Sequence, residues 1–303
     1  MDFGKLDDVS GVDFSMPPDS TDWAALPAVR HRVPQIYVGC PVWACKGWVG
    51  VLYPASAREK DYLRYYSRQF NTIELNTTHY RIPELATIQR WMAETSEGFR
   101  FCPKVLQEIS HQKMLQNAES LTAVFCERMQ ALGERLGICF LQLPPYFAPE
   151  HLPILMRYLQ QFPLQVPLAV EFRHPGWFVG AAGSRPFDKA AQMLQEWHIS
   201  TVICDVAGRR DVLHQRLTTR KAVIRFVGNN LHPTDYTRID AWIDCLRAWL
   251  AKGLDEIYFF VHEPDNILSP QLSDYLIENL NKRLGIILKR PQFAAKAGQM
   301  NLF

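Results

Sequence analysis

The stretch LAVEFRHPGWF, Leu168 to Phe178, opens on apolar and small residues, turns polar at Glu171, Arg173 and His174, and breaks at Pro175-Gly176. Side chains on a strand alternate with a period of two, so Glu171 and Arg173 share one face and Val170 and Phe172 the other. Opposite charges on one face of an apolar strand are costly unless they are paired or half-solvated. A structural ion pair at a strand end explains this segment taken alone. The same arrangement recurs along the chain, and that recurrence points to a site.

Working outward, short runs rich in β-branched and aromatic residues precede it at QIYVGC (35–40), NTIELN (71–76), FRFCPK (99–104) and GICFLQLP (137–144). Others follow at ISTVICD (199–205), AVIRFVG (222–228) and EIYFFVHE (256–263). Their spacing averages roughly thirty residues, the length of a βα unit. Helical stripes lie between them: Leu63, Tyr66 and Phe70; Leu85, Ile88 and Met92; Leu121, Phe125, Leu132 and Leu136; Leu152, Leu155 and Leu159. Ile239, Trp242, Leu246 and Trp249 form a further stripe that stops at Gly253, a fitting C-cap. A last helix is expected with Ser269 as N-cap and Pro270 in its first turn, burying Leu272, Leu276 and Leu280. Only the interval from Asp205 to Lys221 is too short for a full helix. Eight strands alternating with helices predict an α/β fold, a single-domain (β/α)8 TIM-like barrel over residues 35–288. A flexible or loosely draped N-terminal arm (1–34), proline-rich and without periodicity, and a flexible tail (289–303) flank it. A doubly wound sheet fits less well, because no Gly-rich dinucleotide turn follows any run.

The 303 residues are 48% hydrophobic and 21% charged, with a formal net charge of +2. That balance gives no global basic signature, so nucleic acid would need a local patch. No apolar run approaches membrane-spanning length, and the polar, acidic start is unlike a signal peptide. Seven scattered cysteines, mostly inside apolar runs, read as reduced structural thiols, and the expected location is cytoplasmic.

In a barrel of this kind function collects where strands end. The run ends supply Cys40, Glu74, Asn76, Lys104, Gln142, Glu171, Arg173, His174, Asp205, Arg225, His262 and Glu263. Lys104, Arg173 and Arg225 beside Glu74, Glu171 and Asp205 would make a nearly charge-balanced mouth, which either shifts pKa values and holds an anion or satisfies itself. Glu74, Lys104, Glu171, Arg173, His174 and Asp205 are the candidate catalytic residues. After the seventh run, Gly228-Asn229-Asn230 offers either a phosphate cradle or a turn that needs those residues for its backbone angles. Trp43, Trp48 and Tyr53, in the first βα loop, and Trp177 either stack on a ligand or pack over the top of the fold. His79, His111, Glu171, His174, Asp205, His262 and Glu263 could supply ligands to a divalent metal, but no tight ligand motif is present, and neither is a G-x-S-x-G elbow or a P-loop.

The segments GCPVWACKGWVGVLYP, FNTIELNTTHYRIP, FRFCPKVLQEISH, LQLPPYF, AVEFRHPGWF and FVHEPDN resemble the DUF72, or YecE-like, family across about residues 36 to 270. The resemblance implies a TIM-barrel fold and no particular activity. It carries over a polar set of Glu74, Asn76, Tyr80, Lys104, His111, Gln142, Glu171, Arg173, His174, Trp177 and Asp205. The chain departs from the family where His79 replaces a common phenylalanine and where His262-Glu263 replaces an Asn-Asn pair, which weakens a metal site built on those histidines. Its opening loop is also C-P-V-W-A rather than T-S-G-W.

At the far end, Gln299-Met300-Asn301-Leu302-Phe303 resembles the bacterial sliding-clamp-binding peptide, with Leu302 and Phe303 as pocket anchors and Gln299 at the rim, and the alternative is that the Leu-Phe pair folds back onto the barrel. Three functions follow. One is an enzyme on a phosphate-bearing substrate such as nucleic acid, with Glu171 as general acid/base and Lys104, Arg173 and Arg225 stabilising phosphate charge. Another is a small-molecule enzyme for a sugar phosphate or similar anion, and the third is a non-catalytic adaptor. Asn76, Tyr80, His111, Gln142, Trp177, Arg225, Asn229 and Trp43 are the candidate substrate contacts.

Overall fold

A computed structural model of the chain describes residues 4–26 and 33–294. Each of the eight apolar runs forms a strand: β1 (Gln35–Gly39), β2 (Thr72–Leu75), β3 (Arg100–Pro103), β4 (Cys139–Gln142), β5 (Leu168–Glu171), β6 (Ser200–Asp205), β7 (Lys221–Val227) and β8 (Glu256–His262). Between and after them come α1 (Tyr62–Tyr66), α2 (Leu85–Glu94), α3 (Glu119–Gln130), α4 (Leu152–Gln161), α5 (Pro186–Glu196), α6 (Pro233–Ala251) and α7 (Ser269–Leu284). The short interval after β6 holds only 3-10 turns over Ala207–Val212, as its length requires.

All pairing is parallel. A six-stranded sheet runs β1-β8-β7-β6-β5-β4, so the first and last strands are neighbours, and β2-β3 form a second sheet. Hydrogen bonds cross both gaps between the sheets. Val105 N–H donates to Phe140 O at 3.0 Å beside β4, and Glu74 N–H donates to Cys40 O at 3.3 Å beside β1. Side chains reinforce the second gap. Asn71 Nδ2 donates to Ile36 O, and Tyr66 Oη accepts from Cys40 N–H and donates to Thr72 O. Backbones approach so closely there that a Cβ on Gly39 would lie 2.0 Å from Thr72 O, and only glycine fits.

The period of two sorts the strand residues into two cores. Tyr37, Cys102, Ile138, Phe140, Ala169, Val202, Val223, Tyr258 and Phe260 form one buried cluster. Residues of the opposite parity, such as Val38, Ile73, Leu141, Val170, Ile203, Ile224 and Phe259, pack with the helices, whose buried stripes include Ile239, Trp242, Leu246 and Trp249 on α6. Each such large side chain removed from water stabilises the fold by roughly 1.5–3 kcal/mol.

Three expectations at the edges change. Residues 4–26 do not trail away but lie against the β6–β7 connection: Gly208 N–H donates to Gly4 O, Arg210 donates to Phe14 O and Ser15 O, and Leu217 N–H donates to Thr21 Oγ1. Ser269 is the first residue of α7 rather than its N-cap, because its hydroxyl accepts from Glu263 N–H at 3.0 Å and is not available to the helix. The start of the expected tail is also tied down, by Lys289 Nζ to Arg68 O and by Ala294 N–H to Val51 O. All seven cysteines are free thiols. No described helix is long and apolar enough to cross a membrane.

Candidate functional site

Strand residues that share the parity of the first cluster end in Glu74 and Asn76 (β2 and just beyond), Lys104 (after β3), Gln142 (β4), Glu171 and Arg173 (β5 and just beyond), Cys204 (β6), Arg225 (β7) and His262 (β8). Hydrogen bonds join most of them into one network directly over Phe140. Arg225 is its hub: Nε and Nη2 form a two-point contact with Glu74 at 2.8 and 2.9 Å, and Nη1 donates to Glu171 Oε2 at 2.8 Å. Its guanidinium carbon stands 5.6 Å from the Phe140 ring centre. Glu171 also accepts from Arg173 Nε at 2.5 Å and from Gln142 Nε2, while Glu74 accepts from Asn76 Nδ2 and His262 Nε2, each at 2.9 Å.

Both carboxylates are fully buried. Burial alone would raise their pKa values, but the charges beside them win. Arg225 and His262 hold Glu74 well below the carboxylate range, and Arg173 and Arg225 bring Glu171 down to about 2. A carboxylate so firmly ionised is a poor proton carrier near neutral pH, which removes the general acid/base role expected of Glu171. The glutamates instead orient the arginines.

Lys104 is different. It is only 8% exposed, and its Nζ makes no hydrogen bond or ion pair with any described residue. Burial and then the positive charge of Arg225 lower its pKa from 10.5 to about 7, despite the opposing pull of Glu171. Two imidazoles sit nearby. His79 donates Nδ1–H to Val105 O at 2.7 Å, and its ring meets the His111 ring at 5.1 Å. Burial first, and Lys104 second, lower both to about 4, so both are neutral at pH 7.

A cavity of about 450 Å³ opens above this network. Lys104, Arg173, Arg225, Gln142, His79, Tyr80, Cys204, His262 and Glu263 line it, together with Gly4–Val9 of the N-terminal arm and Asn229 and Asn230. Glu74 and Glu171 do not reach it. The floor at Lys104, Arg173 and Arg225 is therefore cationic, with Glu74 and Glu171 placed behind it, while Asp7, Asp8 and Glu263 bring acidic side chains to the same cavity. Arg225 has five donors and the network engages three, which leaves two for a ligand.

Several expected residues sit elsewhere. Asp205 has the helix-facing parity of Ile203, and its carboxylate holds Arg238 at 2.6 Å, Trp242 Nε1 at 2.7 Å and Arg210. It anchors α6 and the arm. His174 Nδ1 accepts from Gly176 N–H at 3.0 Å and caps the turn that follows, outside the cavity wall. Trp177 is fully buried, with Nε1 on Phe147 O and its ring against Phe172. Trp43 packs edge-on against Trp91. His111 lies behind His79, bonded through Nδ1 to Ser110 Oγ, and its Nε2 is buried without a partner.

The Gly228–Asn230 loop is not a vacant cradle. Asn229 N–H donates to Asp235, Asn230 N–H and Leu231 N–H donate to Glu263, and the Asn229 amide also binds Asp235. Protein carboxylates already take the donors a phosphate would need. A Cβ on Gly228 would stand 2.5 Å from Glu263 Oε1, so the glycine serves that closure. Burial, reinforced by Asp235, raises Glu263 to about 7.

Among the described residues no group of three or more His, Cys, Asp or Glu is placed to hold a metal ion. The carboxylates of Glu171 and Asp205 are engaged by arginines. Residues 299–303 lie outside the described residues, and with them Gln299, Leu302 and Phe303. Sequence reasoning passed over the arm as a cavity wall, since GKLDDV has no periodicity to betray it, and it discounted His79 and His262.

The roles of Asp205 and the cavity residues separate experimentally. Asp205→Asn should destabilise the fold by roughly 2–4 kcal/mol in chemical denaturation, because Arg238 is left buried with a weakened partner. Ligand binding in the cavity should be unchanged, and a matching loss of binding would put Asp205 back in the site.

The family described as "Protein of unknown function DUF72" matches residues 37–296. The chain belongs to that family. It is 32% identical over 267 residues to the UPF0759 protein YecE of Escherichia coli K12, covering 82% of this chain and 94% of that one. It is 27% identical over 208 residues to the UPF0759 protein YunF of Bacillus subtilis, covering 64% and 71%. A crystal structure of a DUF72 family protein, EF0366 of Enterococcus faecalis, is similar in fold with a TM-score of 0.67 and 18% identity, over 85% of this chain and 99% of that one.

Proposed function

We propose that this DUF72 chain is a (β/α)8-barrel enzyme, closed through the two seams beside β1 and β4, that acts on a small phosphate-bearing substrate. One observation carries the reading: Lys104, Arg173 and Arg225 line the cavity while Glu74 and Glu171, the carboxylates bonded to the two arginines, are buried behind, with Asp7, Asp8 and Glu263 the acidic residues of the lining. An anion entering this space meets fixed N–H donors whose orientation is already set, so little reorganisation opposes binding. Arg173 and Arg225 hold the phosphate, Gln142 keeps Glu171 in place, and Lys104 is the group whose protonation changes near neutral pH. A cavity of about 450 Å³ with the arm along one side suits a small molecule better than a nucleic-acid duplex.

Thermal melting with and without inorganic phosphate, glycerol phosphate and glycerol tests this. Both phosphates should raise Tm by about 2–5 °C at millimolar concentration, and glycerol at the same concentration should not. Arg173→Gln should abolish the shift. Equal response to glycerol, or none to either phosphate, would reject the reading.

Docking of Gln299, Leu302 and Phe303 on a sliding clamp is a separate proposal, resting on the sequence of that peptide alone. Clamp retention in a pull-down should vanish when residues 299–303 are removed, and persistence would end the idea.

A further inference from the structure

We propose that the Lys104 amine is a nucleophile that forms a Schiff base, and that the substrate of the cavity is a carbonyl compound carrying a phosphate or carboxylate. The inference rests on the anion site described above and adds the reacting group of the substrate.

The geometry makes Lys104 unlike an ordinary buried lysine. A buried ammonium normally faces a carboxylate. Here Glu74 and Glu171 are nearby but turned to Arg225 and Arg173, and Nζ is left on the cavity wall without a described partner. The two arginines beside it oppose its protonation, the arrangement that keeps an amine lone pair available. Its backbone is fixed on both sides: Lys104 N–H donates to Leu75 O, its carbonyl accepts from Thr78 Oγ1 at 2.8 Å, and it bridges to Phe140 of β4. The amine therefore projects from a rigid strand end rather than from a loop.

The step balances within the cavity. The Nζ lone pair attacks the carbonyl carbon, and the C=O electron pair moves to oxygen, which takes a proton while nitrogen releases one. The carbinolamine then loses water to give the imine, with no oxidant or reductant required. His79 is placed to relay those protons. It donates Nδ1–H to Val105, is neutral, and so offers the Nε2 lone pair from the cavity wall. Arg173 and Arg225 would hold the anionic group of the same molecule.

The test is reductive trapping of the full chain. Protein at pH 7 is mixed with dihydroxyacetone phosphate, pyruvate or neutral dihydroxyacetone and treated with sodium borohydride, then measured by intact and peptide mass spectrometry. One adduct per chain, mapped to Lys104, is expected with an anionic carbonyl, at least tenfold faster than with dihydroxyacetone. Lys104→Arg should give no adduct while inorganic phosphate still raises its Tm. The trapping rate should rise to half-maximum near pH 7. No adduct, or adducts scattered over surface lysines, overturns the Schiff-base inference. Phosphate stabilisation persisting in that case leaves the anion site standing. An adduct at Lys104 without any phosphate stabilisation would keep the nucleophile and discard the phosphate.

Discussion

Arg225→Met should cost the fold about 3–5 kcal/mol at pH 7 and reverse the contribution of Glu74 to its acid dependence. Removing one partner of a buried ion pair leaves an uncompensated charge, and that is far costlier than the pair is stabilising. Here one guanidinium serves two fully buried carboxylates, so its loss strands Glu74, left with Asn76 and His262, and weakens the hold on Glu171, left with Gln142 and Arg173. The sign of the pH effect follows from linkage. In the native protein Glu171 is depressed from 4.5 to about 2, so its contribution is present above pH 4.5 and disappears as pH falls toward 2. In the variant Arg173 still holds Glu171 down, whereas Glu74 loses its largest lowering charge and moves up, so the contribution of Glu74 is favoured below pH 4.5 and weakens as pH climbs. Denaturant melts at pH 4.5 and pH 7 measure this directly. A loss below about 1 kcal/mol with an unchanged slope would show that the network does not depend on Arg225. Glu74→Gln added to Arg225→Met should recover part of the loss by removing one stranded charge.

Lys104→Met should do the reverse and stabilise the protein. Each pKa unit corresponds to about 1.36 kcal/mol, and relaxation around the amine reduces the full shift to an expected gain of about 1–3 kcal/mol at pH 6. The amine is depressed from 10.5 to about 7, so between those values the unfolded chain binds more protons than the folded one and stability rises with pH. Below pH 7 the whole penalty is present, and Met abolishes it. The gain should therefore be largest at pH 6 and shrink by pH 9.5 in urea titrations. Equal destabilisation at both pH values would mean that Nζ has a stabilising partner. A residue whose removal strengthens the fold while trapping is lost fits retention for chemistry rather than for packing.

The sequence was informative wherever parity was read, and misleading where it was not. Glu74 with Asn76, and Glu171 with Arg173, were placed on common faces from their spacing, and the structure joins each pair by a hydrogen bond. Asp205, as the last residue of its run, is expected at the mouth. Its even-odd position matches Ile203, and that alone assigns it to the helix side, with Cys204 on the cavity side. No spacing rule could show that Lys104 has no ion-pair partner among the described residues, because this depends on which glutamate meets which arginine across strands 151 residues apart. The Gly228 loop was ambiguous for the same reason. Its amides are filled by Glu263, which lies 33 residues downstream of Asn230.

One wall of the cavity has an unusual history. Gly4–Val9 leaves the ribosome long before the segment it rests on, and Arg210 meets Phe14 across 196 residues. Synthesis proceeds from the N-terminus, so the arm cannot seat until β6 and the turns after it have formed. Closing so long a loop adds little extra entropy over a shorter one, but it makes this contact among the last to assemble. A newly made molecule thus exposes its cationic floor before it acquires its lining.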